Sequence, residues 1–204
     1  MELKNIICDF GGVLYSIDQK RNLDSFRLLS AKPSLIPESD TGIFYNDNLF
    51  LDYEKGIKST REFRHKAISR YALSCTDDEF DKAWNATLLH EAKGAREFVQ
   101  AIREKKNIFL LSNTNELHFD YFFRQCEKLL SLFDFLFLSF KLKMRKPEKE
   151  IFEYILAEKS LKPHDTLFID DSSINITAAE SMGIKTLHAT TENLSDLFDI
   201  VNSL

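Results

Sequence analysis

Near the start of the chain, in Ile7-Cys8-Asp9-Phe10-Gly11-Gly12-Val13-Leu14, an apolar run delivers one carboxylate into a turn made of two glycines. Much later, Phe168-Ile169-Asp170-Asp171 delivers an acidic pair in the same way. Between them, Ser112-Asn113 closes a third apolar run, and Lys146 stands just before Pro147. A carboxylate attacking a phosphate monoester must overcome repulsion between two anions. Magnesium held by Asp9 and Asp171 would neutralise that repulsion and orient both partners. Lys146 would add a fixed positive charge, and Ser112 with nearby backbone N–H groups would hydrogen-bond phosphate oxygens. The two glycines let the backbone turn tightly beside the ligand, and the Gly11 carbonyl is a further candidate ligand for the metal. Singly, each residue has a plainer reading. Asp9 ends a strand as turn residues do, Asp170, Asp171 or Ser172 suit a helix cap, and a lysine before proline is ordinarily a surface lysine. Their joint appearance at successive strand ends favours the chemical reading.

The elements that must position these residues follow from periodicity. Residues 5–10 form a short continuous apolar run, as a strand buried on both faces does. From about residue 18 to residue 90 the pattern is helical with polar interruptions and shows no convincing strand. Helices are expected over 21–29, 48–56, 60–73 and 77–89, with Ser59 or Thr60 as an N-cap and no strict capping box. From about residue 92 helix and strand alternate. Helices are expected over 94–106, 147–159 (Pro147 at its first position), 174–182 and 191–203, and strands over 107–113, 133–140, 165–171 and 184–189. Such alternation predicts an α/β, Rossmann-like parallel sheet with helices on both faces. In such a sheet, ligands bind at the carboxyl ends of the strands. The helical stretch is then an inserted cap. The expected division is a discontinuous core, residues 1–16 and 92–204, around a cap subdomain of residues 17–91.

The 204 residues suit one such domain with an insertion, and 44% hydrophobic with 29% charged residues is ordinary for a soluble protein with a real core. The 18 Phe predict an aromatic core. A net charge of −5 without a basic stripe gives no reason to expect nucleic acid. Cys8, Cys75 and Cys126 are odd in number and far apart, which fits reduced thiols in a cytoplasmic protein. No targeting segment is expected, and the most apolar window, interrupted by Asp134, is too short to cross a membrane.

Together these residues resemble the haloacid dehalogenase-like hydrolase superfamily across essentially the whole chain. "CDFGGVL" looks like its first motif, "LLSNT" its second, Lys146 in "MRKPE" its third and "FIDDSSIN" its fourth. The cap matches the small helical cap that many members place after the first strand. More narrowly, the motifs resemble the branch of bacterial phosphatases acting on α-D-glucose 1-phosphate. The resemblance implies that Asp9 is a nucleophile forming an aspartyl-phosphate and also a magnesium ligand. It implies that Gly11 gives a carbonyl ligand and that Ser112, Asn113 and Lys146 hold the phosphoryl group. Asp171 becomes the main acidic ligand, supported by Asp170, with Asn175 behind them. The implied partner is a small phosphorylated metabolite, and a monomer or weak homodimer is expected.

The departure is Gly11, where phosphatases of the superfamily usually have an Asp that protonates the leaving group and activates water. Losing a general acid–base removes about 10²–10⁴-fold in rate, least where the leaving group is a stable anion such as an anomeric oxygen. A replacement would come from the cap or from the substrate itself; His118 reads as a packing or surface histidine rather than a general base. Trp84, Asn85, Tyr53 and Phe50 read as cap core. The main rival is a non-catalytic relative binding a phosphorylated ligand or a partner. A phospho-acceptor domain would carry its acidic pair early, a dehalogenase would leave Asp170-Asp171 unexplained, and no G-x-G-x-x-G is present.

Overall fold

In the computed structural model, which describes residues 3–194 and Leu197, the alternating side chains of the apolar runs divide between two cores. The elements run β1 (Asn5–Cys8), β2 (Tyr15–Ile17), α1 (Gln19–Leu29), α2 (Thr41–Tyr45), α3 (Asn48–Glu54), α4 (Thr60–Arg70), α5 (Asp77–Asn85), β3 (Leu88–Glu91), α6 (Ala95–Arg103) and β4 (Asn107–Ser112). There follow α7 (Glu116–Leu130), β5 (Phe135–Leu138), α8 (Ser139–Leu142), α9 (Lys149–Glu158), β6 (Thr166–Asp170), α10 (Ser173–Glu180) and β7 (Lys185–His188). Ile6, Cys8, Ile108, Leu110, Leu167 and Ile169 face the core covered by α6 and α7. Their neighbours Ile7, Phe109, Leu111 and Phe168 face the opposite core, covered by α9 and α10. This period of two explains why each strand reads as continuously apolar.

The sheet is parallel, in the order β5-β4-β1-β6-β7. From β1 the chain steps outward through β4 to β5, then returns to lay β6 on the other side of β1. The reversal makes the carboxyl ends of β1 and β6 a topological switch point, where open sheets of this kind bind ligands. Asp9 follows β1 there and donates its backbone N–H to Ile169 O at 2.8 Å.

Residues 23–84 supply a third core of their own, including Phe26, Phe44, Phe50, Phe63, Phe80 and Trp84. The plane of Phe50 stacks on Trp84, and that of Tyr53 on Phe63. The aromatic packing expected from the Phe count is shared: these rings join Tyr71 and Trp84 here, while Phe10, Phe98, Phe122, Phe109, Phe152 and Phe168 serve the two cores on the sheet. Among the described residues, no helix is long and apolar enough to cross a membrane.

Four expectations need correction. The stretch 18–90 does contain a strand: the expected helix 77–89 stops at Asn85, and Leu88–Glu91 pairs antiparallel with Tyr15–Ile17. That ladder joins the two crossings between core and insertion, a partnership that local periodicity does not encode. Ser59 and Glu62 do form a strict capping box, as do Thr76 and Glu79. Pro147 is not the first residue of a helix, because α9 begins at Lys149 with Glu148 as its N-cap. The expected strand 133–140 ends at Leu138, where Ser139 turns the chain into α8. The helix expected over 191–203 lies largely outside the described residues.

Candidate active site

The loop after β1 is shaped by its second glycine. Gly12 has φ +84°, and a Cβ there would lie 2.1 Å from Asp171 Oδ2. Only glycine lets the turn and the Asp171 carboxylate come this close. Gly11 differs: a Cβ there would meet only Ile17, at 3.7 Å, in ordinary contact. Gly12 N donates to Tyr15 O, and Thr191 N donates to Gly12 O, so the turn is held from both sides.

Lys146 is buried, 1% exposed, and its ammonium lies 2.8 Å from Asp9 Oδ1 and 2.6 Å from Asp170 Oδ2. It is the opposite of a surface lysine. A turn in which Glu148 N donates to Arg145 O carries it in, and Asn113 clamps it. Asn113 Nδ2 donates to Lys146 O, and Lys146 N donates to Asn113 Oδ1, each at 2.9 Å. The amide expected to hold phosphate therefore has a prior task, placing the lysine. Asp170 is wholly buried, and its second oxygen accepts from Ser172 N at 2.8 Å and from Asn175 Nδ2 at 2.9 Å. Asn175 thus sits behind the acidic pair. Asp171 is half-buried, and His188 Nε2 lies 2.8 Å from its backbone carbonyl. Ser112 is buried at the end of β4.

Three carboxylates face one ammonium here. Burial pushes the Asp9 carboxyl above its ordinary range; Lys146 pulls it back, and Asp170 and Asp171 add repulsion. Burial alone would lower the Lys146 ammonium, but Asp9 and Asp170 carry it above its usual value. Asp171 is raised by burial and by Asp170. Asp9, Asp170 and Asp171 each present an oxygen, all within 4.8 Å of one another. Opposite ligands of an octahedral magnesium stand about 4.2 Å apart, so small rotations bring this all-oxygen, negatively charged set to a fit. The donor chemistry suits a hard divalent cation.

Beside the carboxylates, a cavity of about 110 Å³ separates core from insertion, walled by Gly11, Ser112 and Thr114 below and by Gln19, Tyr45 and Glu54 above. Larger hollows of about 400 and 520 Å³ lie on the outer helices, away from the carboxylates. His118 closes one side of the cavity, stacked on Trp84. Its Nε2 donates to Trp84 O at 3.2 Å, which leaves Nδ1 to accept from Asn115 Nδ2 at 3.1 Å. Burial pushes its pKa down to about 4, so it is a neutral packing residue with both nitrogens engaged. Phe50, Tyr53 and Trp84 lie in the core of the insertion, as expected. Glu54 and its partner Arg145, whose Nε donates to Glu54 Oε2 at 2.7 Å, carried no sequence signal, since the pairing spans 91 positions.

Residues 3–183 match the family model for haloacid dehalogenase-like hydrolases. The chain is 29% identical over 191 residues to a D-ribitol-5-phosphate phosphatase from Bacteroides thetaiotaomicron, covering 90% of each. It is 26% identical over 199 residues to a sesquiterpene phosphatase from Aspergillus oryzae, covering 92% of this chain and 90% of the other. A crystal structure of a haloacid dehalogenase family enzyme from Bacteroides thetaiotaomicron superimposes with a TM-score of 0.86 at 31% identity, covering 97% of this chain and 99% of the other. The same enzyme in complex with magnesium and inorganic phosphate gives 0.79, covering 91% and 93%. With a match over most of its length and the strand order to go with it, the chain belongs to the haloacid dehalogenase-like hydrolases.

Proposed function

We propose that this chain is a magnesium-dependent phosphatase acting on a small, hydroxyl-bearing phosphate monoester, a sugar or polyol phosphate, with the phosphoryl group carried transiently on Asp9. The observation that carries the reading is the buried Lys146 ammonium bridging Asp9 and Asp170, with Asp171 beside them. An ion-paired lysine of this kind is costly to bury and matches the need to hold phosphate next to a carboxylate nucleophile.

Asp9 attacks phosphorus as the ester oxygen leaves, and water then displaces Asp9 from phosphorus to release inorganic phosphate. Lys146 holds Asp9 in place and keeps positive charge beside the transferring group. Ser112 and the backbone of the Gly11–Gly12 turn receive the phosphate oxygens, while Asn113 holds the lysine loop. Magnesium, when bound among the three carboxylates, supplies the neutralisation that lets an anionic nucleophile approach an anionic substrate.

The substrate class follows from the cavity. About 110 Å³ is far below the ~300–1,000 Å³ of sites for drug-sized ligands, and its upper wall carries Gln19, Tyr45 and Glu54. Phe10, Ile17, Leu88 and Phe122 line the cavity as well, so the small volume rather than the lining argues against a terpenoid chain, while Gln19 and Glu54 offer partners for substrate hydroxyls. Similarity to the ribitol-phosphate enzyme supports this reading over similarity to the sesquiterpene enzyme. The test is an assay with magnesium on an aryl phosphate and on a panel of sugar 1-phosphates, pentitol 5-phosphates and prenyl phosphates, beside Asp9→Asn. Turnover of the hydroxylated substrates by wild type alone is expected. Equal inertness of wild type and variant across the panel would leave the non-catalytic alternative, for which Gly11 is the argument.

A further inference from the structure

The missing acid at Gly11 leaves the reaction without an assigned proton carrier. The groups lining the cavity narrow the choice. His118 has both ring nitrogens engaged and is held neutral. The Tyr15 hydroxyl points to Gln125, and burial pushes the Tyr15 and Tyr45 phenols further from neutrality. Among the described residues lining the cavity, one carboxylate remains, Glu54.

Its placement is fixed from two directions. The Glu54 carbonyl accepts from Ser139 Oγ at 2.7 Å, and Ser139 Oγ also joins the Thr114 carbonyl and N–H at 2.8 Å each, in the loop after β4. The carboxylate itself is gripped by Arg145, the residue before Lys146. One end of α3 is thus tied to both loops that carry the proposed phosphate site. Gly11 lines the same cavity, and a Cβ there would meet only the Ile17 side chain, in ordinary contact.

We propose that Glu54, from the cap, is the general acid–base of this active site, taking the place of a side chain at Gly11. The inference rests on the phosphatase reading above. In the first half-reaction, the Glu54 carboxylic acid gives its proton to the ester oxygen as that oxygen's bond to phosphorus breaks and the Asp9–phosphorus bond forms. In the second, the carboxylate takes a proton from the water whose oxygen displaces Asp9 from phosphorus, restoring the acid. The sum is ester plus water to alcohol plus phosphate.

The experiment compares wild type, Glu54→Gln, and Glu54→Gln with Gly11→Asp, using a polyol phosphate and an aryl phosphate whose leaving group needs no proton. Glu54→Gln should lose roughly 10²-fold or more in turnover of the polyol phosphate. On the aryl phosphate it should release a burst of phenolate and then stall as phosphorylated protein, visible by intact mass after acid quench. Adding Gly11→Asp, whose Cβ has room, should restore turnover. Full activity of Glu54→Gln would overturn the assignment. So would loss of burst and turnover together with no recovery on adding Gly11→Asp, the mark of a merely structural residue. If wild type itself is inert on every substrate, the phosphatase reading has failed instead.

Discussion

Replacing Gly12 by Ala, with Gly11→Ala as its control, tests whether the turn exists to seat Asp171 at a metal site. At Gly12 the new methyl would lie 2.1 Å from Asp171 Oδ2 and 2.6 Å from Asp171 Cγ, both well inside ordinary contact. The backbone at φ +84° adds a strain of about 1–2 kcal/mol for a residue with a Cβ. Asp171 must therefore swing away. A misplacement of about 1 Å costs roughly 10²-fold in rate, and a disturbed metal ligand about 10- to 100-fold in affinity. At Gly11 the methyl meets Ile17 at 3.7 Å, so stability should stay level or rise by about 0.4–1 kcal/mol. Magnesium titration by calorimetry, the magnesium dependence of kcat/KM and thermal melts of both variants supply the readings. Wild-type magnesium affinity and activity in Gly12→Ala would refute the argument that this glycine makes room for a ligand carboxylate.

Removing the ammonium in Lys146→Met leaves Asp9 and Asp170 buried without their partner, which should cost about 3–5 kcal/mol in urea unfolding at neutral pH and abolish turnover. His118 gives a pH effect. Its folded pKa of about 4 lies below the unfolded value of 6.5, so the unfolded chain binds the proton first, and the contribution is lost as pH falls through that window. The loss reaches about 3 kcal/mol at the acid end; it should be absent from His118→Phe and so should appear as the pH-dependent difference in stability between wild type and that variant. Asp9 runs the other way: its folded pKa is raised, so the magnesium-free protein gains stability as pH falls, and Asp9→Asn should remove that gain. Ser139→Ala deletes the hydroxyl joining Glu54 to Thr114. It should cost about 1–3 kcal/mol in denaturant unfolding and speed hydrogen exchange at the C-terminal end of α3.

What the sequence disclosed and what it hid divide along a physical line. Asp9, Ser112, Asp170 and Asp171 were legible because strand ends in a parallel sheet share one rim, and strand ends are local features. Lys146 was legible only through its motif, since nothing local announces that a lysine before Pro147 will be buried between two carboxylates. Asn113 was located but not its task, because a clamp on the lysine loop depends on a backbone 33 positions away. The β2–β3 ladder escaped for the same reason. The Ser59–Glu62 capping box, by contrast, is local: Ser59 and Glu62 stand at the required three-residue spacing. Glu54 had no legible signal, because it comes to line the same cavity as Gly11 only through long-range contacts with Ser139 and Arg145.

The two neighbouring glycines therefore stand for different things. Gly12 is imposed by geometry, since a side chain there collides with Asp171. Gly11 is not imposed, for the fold leaves room for a side chain, so the lack of an acid there is not a steric necessity of the turn. With the proton carrier on the insertion, acid–base chemistry is complete only while α3 rests on Ser139 and Arg145. With an Asp at Gly11, it would be complete whenever the core alone is folded. Placing the carrier on the insertion makes proton transfer depend on how α3 is seated, so a phosphorylated Asp9 would be spared hydrolysis whenever that seat is loosened. The coupling has a measurable signature. Ser139→Ala, which loosens the seat of Glu54 without touching Asp9 or Lys146, should slow hydrolysis of the phosphorylated protein more than its formation from an aryl phosphate. The double variant Ser139→Ala with Gly11→Asp should lose that asymmetry, because its acid travels with the core.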